Sequence, residues 1–178
     1  MPTDRELLQL DLFEMASIVS YVVKAEGPIH AEEVARRIRE AFGLERTGGR
    51  ILNRINQGLR TAERQGELIL EEGFWSARER TQSSLPRHRR NAALPLRRSD
   101  RIAPHEYCLA ILKIVEGAVG IDRKDLIVET ARLLGFDRTG SDLQTAIDQQ
   151  ITVLLNSGRV VSENGHIRLT PADPRAPA

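Results

Sequence analysis

The stretch Gly43-Leu44-Glu45-Arg46-Thr47-Gly48 returns 92 positions later as Gly135-Phe136-Asp137-Arg138-Thr139-Gly140. The same offset aligns residues 15–77 with residues 107–169 without a gap. Matched pairs include glycines and apolar residues along the whole alignment: Gly66/Gly158, Gly73/Gly165, Val23/Val115, Ile29/Ile121 and Ile55/Ile147. A repeat of this length that keeps both its glycines and its apolar pattern indicates one fold used twice.

Length and composition fit a protein made of two small domains, each of about 65 residues. The chain has 178 residues, 40% of them hydrophobic and 29% charged, which is ordinary for a globular protein in solution. It contains no apolar run near the roughly 20 residues that span a bilayer, and no signal-peptide pattern. The single cysteine, Cys108, excludes an internal disulfide. We therefore expect a cytoplasmic location and no membrane partner.

The first copy is predicted to contain three helices and one hairpin. A capping box of Asp11 and Glu14 opens helix 1, residues 28–30 are extended, and helix 2 covers residues 31–42. Thr47 is expected to cap helix 3, which ends near residue 65. Strands at 67–70 and 74–77 then form a hairpin. This order is that of a winged helix-turn-helix domain with helix 3 in the recognition position. The fold class is thus mainly α with small β-hairpins (α+β), as tandem duplicated winged helix-turn-helix domains.

The predicted organisation has five parts. They are an N-terminal arm (1–10), winged-helix domain 1 (11–77), a basic linker (78–103), winged-helix domain 2 (104–170) and a disordered tail (171–178). Residues 78–101 carry eight arginines against Glu79 and Asp100, a charge of +6 in a chain of net charge +1. Such a segment either follows a phosphate backbone or is a solvated linker, and both readings stay open.

A family resemblance rests on three motifs: Glu26-Gly27-Pro28-Ile29-His30, Arg36-Arg37-Ile38-Arg39 and Arg46-Thr47-Gly48. The second Arg-Thr-Gly, at residues 138–140, adds to it. From about residue 12 to residue 170 the chain resembles the C-terminal domain of unknown function of large bacterial superfamily I helicase-like proteins that also carry a restriction-endonuclease-like module. The resemblance implies tandem winged-helix folds and a DNA-processing setting, and it implies no catalytic residues. The motor motif Gly-x-x-x-x-Gly-Lys-Ser/Thr is absent from this chain.

Helix 3 of the first copy presents the best candidate surface. With its apolar stripe turned inward, arginine, asparagine and glutamine side chains point outward, which match guanine, phosphate and adenine. The alternative is an ordinary solvated face. The candidate DNA-binding residues are Arg46, Thr47, Arg50, Asn53, Arg54, Gln57, Arg60 and Arg64 from this copy, and Arg87, Arg89, Arg90, Arg97 and Arg98 from the linker.

The corresponding face of the second copy is acidic or neutral: Asp142, Thr145, Gln149, Thr152 and Asn156, with Asp148 nearby. Carboxylates oppose phosphate binding, so this copy is predicted to serve structure or protein contact. The Arg-Thr-Gly turn is either a phosphate site or a structural helix cap, and we favour the cap, including a capping box of Thr139 and Asp142. Trp75 is predicted to pack in the core rather than to stack on a base.

Catalytic signals are missing. The histidines lack partners at metal-ligand spacing, and Cys108 is expected to be a buried, inert thiol. We therefore expect no enzyme activity, no metal and no cofactor. The sequence predicts a non-catalytic nucleic-acid-binding accessory module of a helicase/nuclease system, acting on double-stranded or forked DNA, with the helicase or nuclease domains of that system as further partners. The alternative is a protein-protein interaction or dimerisation module, including a homodimer, that docks a helicase to a partner.

Overall fold

The computed structural model describes residues 4–46, 48–79 and 85–171. The chain divides into two compact units, unit 1 (Met1–Gln82) and unit 2 (Ser83–Ala178). Each unit is a mixture of helices with one small antiparallel sheet of three strands. The fold is therefore of the α+β class, as the sequence predicts.

The described residues of unit 1 form four helices and three strands in the order helix, helix, strand, helix, helix, strand, strand. They are α1 (Asp4–Gln9), α2 (Leu12–Glu26), β1 (Ile29–His30), α3 (Ala31–Ala41), α4 (Gly49–Arg64), β2 (Leu68–Glu71) and β3 (Phe74–Ala77). The strand order is β1-β3-β2, and all pairs are antiparallel. The predicted elements are present, with β2 beginning one residue later than expected.

Helix α2 begins where its capping box places it. The Asp11 carboxylate accepts hydrogen bonds from the amides of Phe13 and Glu14, each at 2.8 Å. In return the Asp11 amide donates to Glu14 Oε2 at 2.8 Å. Each bond satisfies an amide that the first helical turn leaves without a partner. The predicted start of this helix is confirmed.

The core of unit 1 depends on a close approach between α2 and α4. Met15 is fully buried and lies against Gly58, where a Cβ atom would come within 2.5 Å of Met15 Cγ. Only glycine at position 58 leaves room for this packing. Leu7 of the N-terminal arm is also fully buried in this core. Together these contacts fix the inner side of α4 and leave its other side to solvent.

Unit 2 has the same order of elements after two short 3₁₀ helices, Leu94–Arg97 and Ser99–Arg101. They are followed by α5 (Pro104–Glu116), β4 (Ile121–Asp122), α6 (Arg123–Leu133), α7 (Ser141–Asn156), β5 (Val160–Glu163) and β6 (His166–Leu169). The strand order is β4-β6-β5. The bounds of β4, α6, α7, β5 and β6 are those of β1, α3, α4, β2 and β3 moved by 92 positions. The register agrees as well, since Ile29 pairs with Trp75 and Ile121 with Ile167.

Both hairpins close with two residues of positive φ. These are Glu72 (φ 49) with Gly73 (φ 86), and Asn164 (φ 51) with Gly165 (φ 82). Two consecutive central residues of positive φ are typical of the type I′ turn, which matches the twist of paired strands. The hairpins are therefore as tight as predicted, and the side chain at the tip of the first one is an exposed glutamate.

The predicted role of threonine in starting the third helix of each copy is wrong in unit 2. There Gly140 is the N-cap residue of α7, and no side chain caps the helix. Thr139 lies one residue too early, so the predicted capping box with Asp142 does not form. In unit 1 the N-cap residue of α4 is Gly48, while Thr47 lies outside the described residues.

Candidate nucleic-acid interface

Helix α4 has a buried and an exposed side, as its sequence period predicts. Ile51, Ile55, Leu59 and Ala62 are at most 3% exposed. Opposite them the structure leaves six polar side chains in solvent: Arg50, Asn53, Asn56, Gln57, Arg60 and Arg64. Asn56 is absent from the predicted set. Its spacing of four residues from Arg60 was the sequence signal that places both on one side of a helix.

An open groove runs along this exposed side. Its volume is about 710 Å³, and its lining is Leu12, Asn53, Asn56, Gln57, Arg60, Thr61, Glu63 and Arg64. All of these lining residues except Leu12 carry polar groups: two arginines, three carboxamides, one hydroxyl and one carboxylate. The structure thus brings together four of the predicted residues, Asn53, Gln57, Arg60 and Arg64, in one concave surface.

Two arginines of this surface are held by neighbours. Arg60 forms an ion pair with Glu63 at 2.9 Å, and its guanidinium lies 5.4 Å from the centre of the Trp75 ring. Arg64 donates to the Thr61 hydroxyl at 3.0 Å. Trp75 itself is 4% exposed and belongs to the core, which confirms the packing interpretation. The ring therefore orients Arg60 and is not open to a stacked base.

Arg54 differs from the other predicted residues of α4. Its side chain is half-buried, and its guanidinium donates to the backbone carbonyl of Leu10 in the N-terminal arm. The buried Nε atom has no hydrogen-bond partner among the described residues. Arg54 thus ties the arm to α4. Because the side chain is half-buried and is turned toward the arm, we remove Arg54 from the candidate interface.

The N-terminal end of α4 adds two exposed arginines, Arg46 and Arg50. Neither forms an ion pair with a carboxylate of the described residues. Their charge is therefore not neutralised by a neighbour within the described ranges. Thr47, which the sequence placed beside them in the candidate site, lies outside the described residues.

Among the predicted DNA-binding residues, those of the basic segment contribute least to the candidate interface. Residues 78–79 of this segment belong to unit 1, and its described part from residue 85 onward belongs to unit 2. Arg89 is only 6% exposed, and its two terminal nitrogens each donate to the Glu106 carboxylate at 2.7 Å. The Arg89 amide also donates to the carbonyl of Leu134 at 2.9 Å. Because its charge is buried against a carboxylate, we remove Arg89 from the candidate interface.

Other arginines of the segment also have acidic partners. Arg87 donates to Glu106 at 3.0 Å, Arg98 donates to Asp100 at 2.8 Å, and Arg90 pairs with Asp137. Arg97 is half-buried and lines a pocket of about 460 Å³ in unit 2. Arg98, Arg138, Asp100 and Asp142 line the same pocket. The carboxylates there offset much of the positive charge. We therefore leave the basic segment out of the main interface.

Glu106 is the centre of this anchoring cluster. The residue is 4% exposed. Burial by itself raises the pKa of a carboxyl group, but the hydrogen bonds and charges of Arg89 and Arg87 outweigh that effect and lower the pKa of Glu106 to about 2. The carboxylate is therefore ionised at neutral pH, and it holds the segment onto α5. Gly135 allows the approach, since a Cβ there would lie 2.7 Å from the Arg89 amide.

Helix α7 presents a different surface from α4. Its exposed residues include Asp142, Thr145, Gln149, Thr152 and Asn156, as predicted. Arg123 of α6 donates to Asp148 at 2.6 Å and to the Thr152 hydroxyl at 2.7 Å. This face thus carries no arginine of its own, and part of it is occupied by contacts within unit 2.

Helix α2 exposes two aromatic side chains that the sequence interpretation did not single out. Phe13 is 67% exposed and Tyr21 is 77% exposed. Their spacing of eight residues places them toward one side of the helix. They are the apolar feature of unit 1 that is most open to solvent.

Within the described ranges, no cluster of three or more histidine, cysteine, aspartate or glutamate residues is arranged to hold a metal ion. No helix in the described part of the chain combines the length and apolar character of a membrane span. Cys108 is half-buried rather than buried, and its thiol lies 3.5 Å from Gln150 Oε1.

Comparison with known proteins gives one match. Residues 11–53 match the model of a family described as a protein of unknown function (DUF3320). These residues extend from the cap of α2 to the first turns of α4, less than a quarter of the chain. No curated protein and no solved structure matches. The chain is thus similar, over this stretch, to a family whose function has not been assigned.

Proposed function

We propose that the chain is a non-catalytic module of two winged-helix domains that binds double-stranded or forked DNA through α4 of unit 1. In each unit a helix, a short strand, two helices and a hairpin follow one another, and the first strand pairs with the last. This arrangement supports the winged-helix interpretation, in which α4 and α7 are the recognition helices.

The observation that carries the proposal is the exposed face of α4. It combines arginines with carboxamides on one regular helix, and its charge is net positive. Arg50 and Arg64 lie about 21 Å apart along the helix axis, at a rise of 1.5 Å per residue. Arginines at such a spacing reach phosphates on both sides of a groove, while the residues between them face the base edges. Affinity of this kind falls steeply with added salt.

The chemistry of the face favours duplex over single-stranded DNA. Helix α4 contains no aromatic residue, and Trp75 beneath Arg60 is buried. Proteins that hold single strands use exposed aromatic rings on which successive bases stack. A polar helix without such rings is better matched to a major groove.

The hairpin of unit 1 does not extend the basic surface. Glu71 and Glu72 at its tip are exposed. Carboxylates at this position repel phosphates, so the turn is expected to stay away from the DNA backbone. The binding energy is therefore assigned to α4 and to Arg46 before it.

The test compares two variants that change the net charge by the same amount. Arg50→Ala with Arg64→Ala removes two positive charges from α4. Thr145→Glu with Asn156→Glu adds two negative charges to the corresponding face of α7. We expect the first pair to weaken duplex binding by about tenfold or more and to reduce its salt dependence, and the second to change it by less than about threefold. Fluorescence anisotropy with a labelled duplex at two salt concentrations measures both.

The opposite ranking of the two variants would contradict the proposal. Equal effects would also contradict it, since net charge and not the α4 face would then govern binding. Circular dichroism spectra and melting curves of each variant serve as the control that the fold is retained. All four altered residues are exposed, so little loss of stability is expected.

The exposed aromatic residues of α2 favour a second candidate function, a surface for protein-protein contact or dimerisation. Phe13 and Tyr21 belong to the types that concentrate at protein interfaces. If the chain binds no DNA at low salt and light scattering shows a dimer, this second function replaces the first. Replacing both residues with serine should then return the chain to a monomer.

We propose further that the DNA-binding module serves a helicase/nuclease system. This setting rests on the resemblance to helicase-like proteins, because the family matched over residues 11–53 is described only as of unknown function. A forked duplex compared with a blunt duplex of the same length provides the first test. Preference for the fork supports a role beside a strand-separating motor.

A further inference from the structure

Three carboxamides on α4 are open to a ligand. Asn53, Asn56 and Gln57 are exposed and line the same groove. Within the described residues no hydrogen bond uses their side chains. Each carboxamide offers both a donor and an acceptor, so a partner with the complementary pair of groups satisfies both at once.

The charged residues of α4 stand on either side of these amides. Arg50 lies one turn before Asn53, and Arg60 and Arg64 follow Gln57 by one and two turns. Arginines at the two ends of the exposed face suit phosphates on opposite sides of a groove, because phosphate contacts position a protein on the duplex. The central part of the face, which enters the groove most deeply, is then formed by carboxamides and not by charged groups.

A carboxamide distinguishes among the four base pairs in the major groove. Its NH₂ group donates to adenine N7 while its oxygen accepts from adenine N6, a pairing that guanine and the pyrimidines do not offer. The structure assigns this role to Asn53, Asn56 and Gln57: we propose that they read adenine, so that unit 1 prefers duplexes with adenine at the contacted positions. The inference rests on the proposed function and adds the sequence preference of the same surface.

Unit 2 lacks this arrangement. Thr145 and Gln149 stand at the positions of Asn53 and Gln57, and Asp148, at the position of Asn56, is held by Arg123 at 2.6 Å. A carboxylate accepts but does not donate, so it cannot form the paired contact with adenine. Thr145→Ala with Gln149→Ala is therefore a matched control on the second unit.

The experiment uses the full chain and two duplexes of one sequence rich in adenine. In the second duplex every adenine is replaced by 7-deazaadenine, which removes the N7 acceptor and leaves base pairing intact. We expect the wild-type chain to bind the unmodified duplex about tenfold more tightly. The variant Asn53→Ala, Asn56→Ala, Gln57→Ala should bind both duplexes equally, while the unit 2 control should keep the wild-type preference.

The outcomes separate the inference from the function on which it rests. Equal binding of both duplexes by the wild-type chain overturns the adenine preference but leaves DNA binding in place. A preference that survives the triple variant also overturns it, because other residues then read the base. Absence of binding to any duplex at low salt overturns both. Since alanine is the residue most favourable to a helix and all three sites are exposed, the variant should fold, and circular dichroism checks this.

Discussion

Helices α4 and α7 occupy equivalent places in two units with the same order of elements, yet their outer faces differ in charge. Arg50 and Arg64 of α4 correspond, 92 positions later, to Asp142 and Asn156 of α7. Their inner faces remain alike, since isoleucine stands at positions 55 and 147 and is fully buried in both. Packing constrains the inner face, whereas the outer face is free to acquire a function. The difference between the outer faces is therefore the better guide to function.

A second contrast concerns how each unit holds the segment that precedes its first long helix. Glu14 and Glu106 occupy equivalent positions. Glu14 is exposed and caps α2, whereas Glu106 is buried and holds Arg87 and Arg89. One sequence position thus supports a local helix cap in unit 1 and a buried ion-pair cluster in unit 2. The three predictions that follow test these contrasts, beginning with the largest expected effect.

The variant Glu106→Gln should destabilise unit 2 by about 3–5 kcal/mol, because it leaves the buried Arg89 guanidinium without its counter-charge. The matched control is Glu14→Gln, for which we expect a loss below about 1 kcal/mol, since glutamine also serves in a capping box. Urea unfolding followed by far-UV circular dichroism measures both units. Fluorescence of Trp75, the single tryptophan, reports on unit 1.

The two signals should then diverge for Glu106→Gln, with the tryptophan transition unchanged. The dependence of stability on pH provides a second measurement. The pKa of Glu106 is lowered to about 2 from an ordinary value of 4.5, so its stabilising effect is complete above pH 4.5 and is lost as the pH falls toward 2. The stability difference between the wild-type chain and Glu106→Gln should shrink over that window. A constant difference would show that the charge of Glu106 is not what stabilises the segment.

The variant Gly58→Ala should destabilise unit 1 by about 1–3 kcal/mol, because the new methyl group enters a fully packed contact with Met15. Alanine favours helices by up to about 1 kcal/mol over glycine, so the packing conflict must exceed that gain. The equivalent residue of unit 2 is Gln150, and Gln150→Ala serves as the control, with a change below about 1 kcal/mol.

Tryptophan fluorescence during urea unfolding measures the effect of Gly58→Ala in unit 1, and far-UV circular dichroism measures that of the control in unit 2. A variant as stable as the wild-type chain would mean that α2 and α4 move apart without cost. The close helix contact would then not distinguish unit 1 from unit 2.

The smallest expected effect comes from giving α7 the charges of α4. The variant Asp142→Arg with Asn156→Arg raises the net charge of that face by three, and we expect duplex binding to tighten by about tenfold. Glu116→Arg with Val119→Arg makes the same change in net charge at two exposed sites, the last residue of α5 and the loop that follows it. Anisotropy titrations should show a gain of less than about threefold for this control.

Equal gains from the two variants would show that binding follows net charge alone. A gain restricted to the α7 variant would show that the outer face of α7 is accessible to DNA and lacks only the charge. In that case the difference between the units lies in their side chains and not in their folds.

Much of the fold was readable from the sequence. The 92-residue offset, the capping box at Asp11 and the turn pairs Glu72-Gly73 and Asn164-Gly165 predict elements whose observed bounds differ by a residue or two. These signals are local. Apolar periodicity, helix caps and residues that accept a positive φ each act on residues close to them in the sequence. The exposed face of α4 followed from the same period, because a regular helix fixes which side each residue occupies.

Other features depend on residues far apart in the sequence, and only the tertiary structure decided them. Charge composition marks Arg89 as a candidate for phosphate binding, yet its partner Glu106 lies on a different element and buries it. The sequence also suggested that Arg54 contacts DNA, but in the folded chain its guanidinium donates a hydrogen bond to the backbone carbonyl of Leu10. The sequence by itself determined the elements, their repetition and the amphipathic character of α4, since those depend on local periodicity. Packing decided which arginines remain free of a carboxylate partner and can bind a ligand. An ion pair needs two charged groups that only the folded chain brings together.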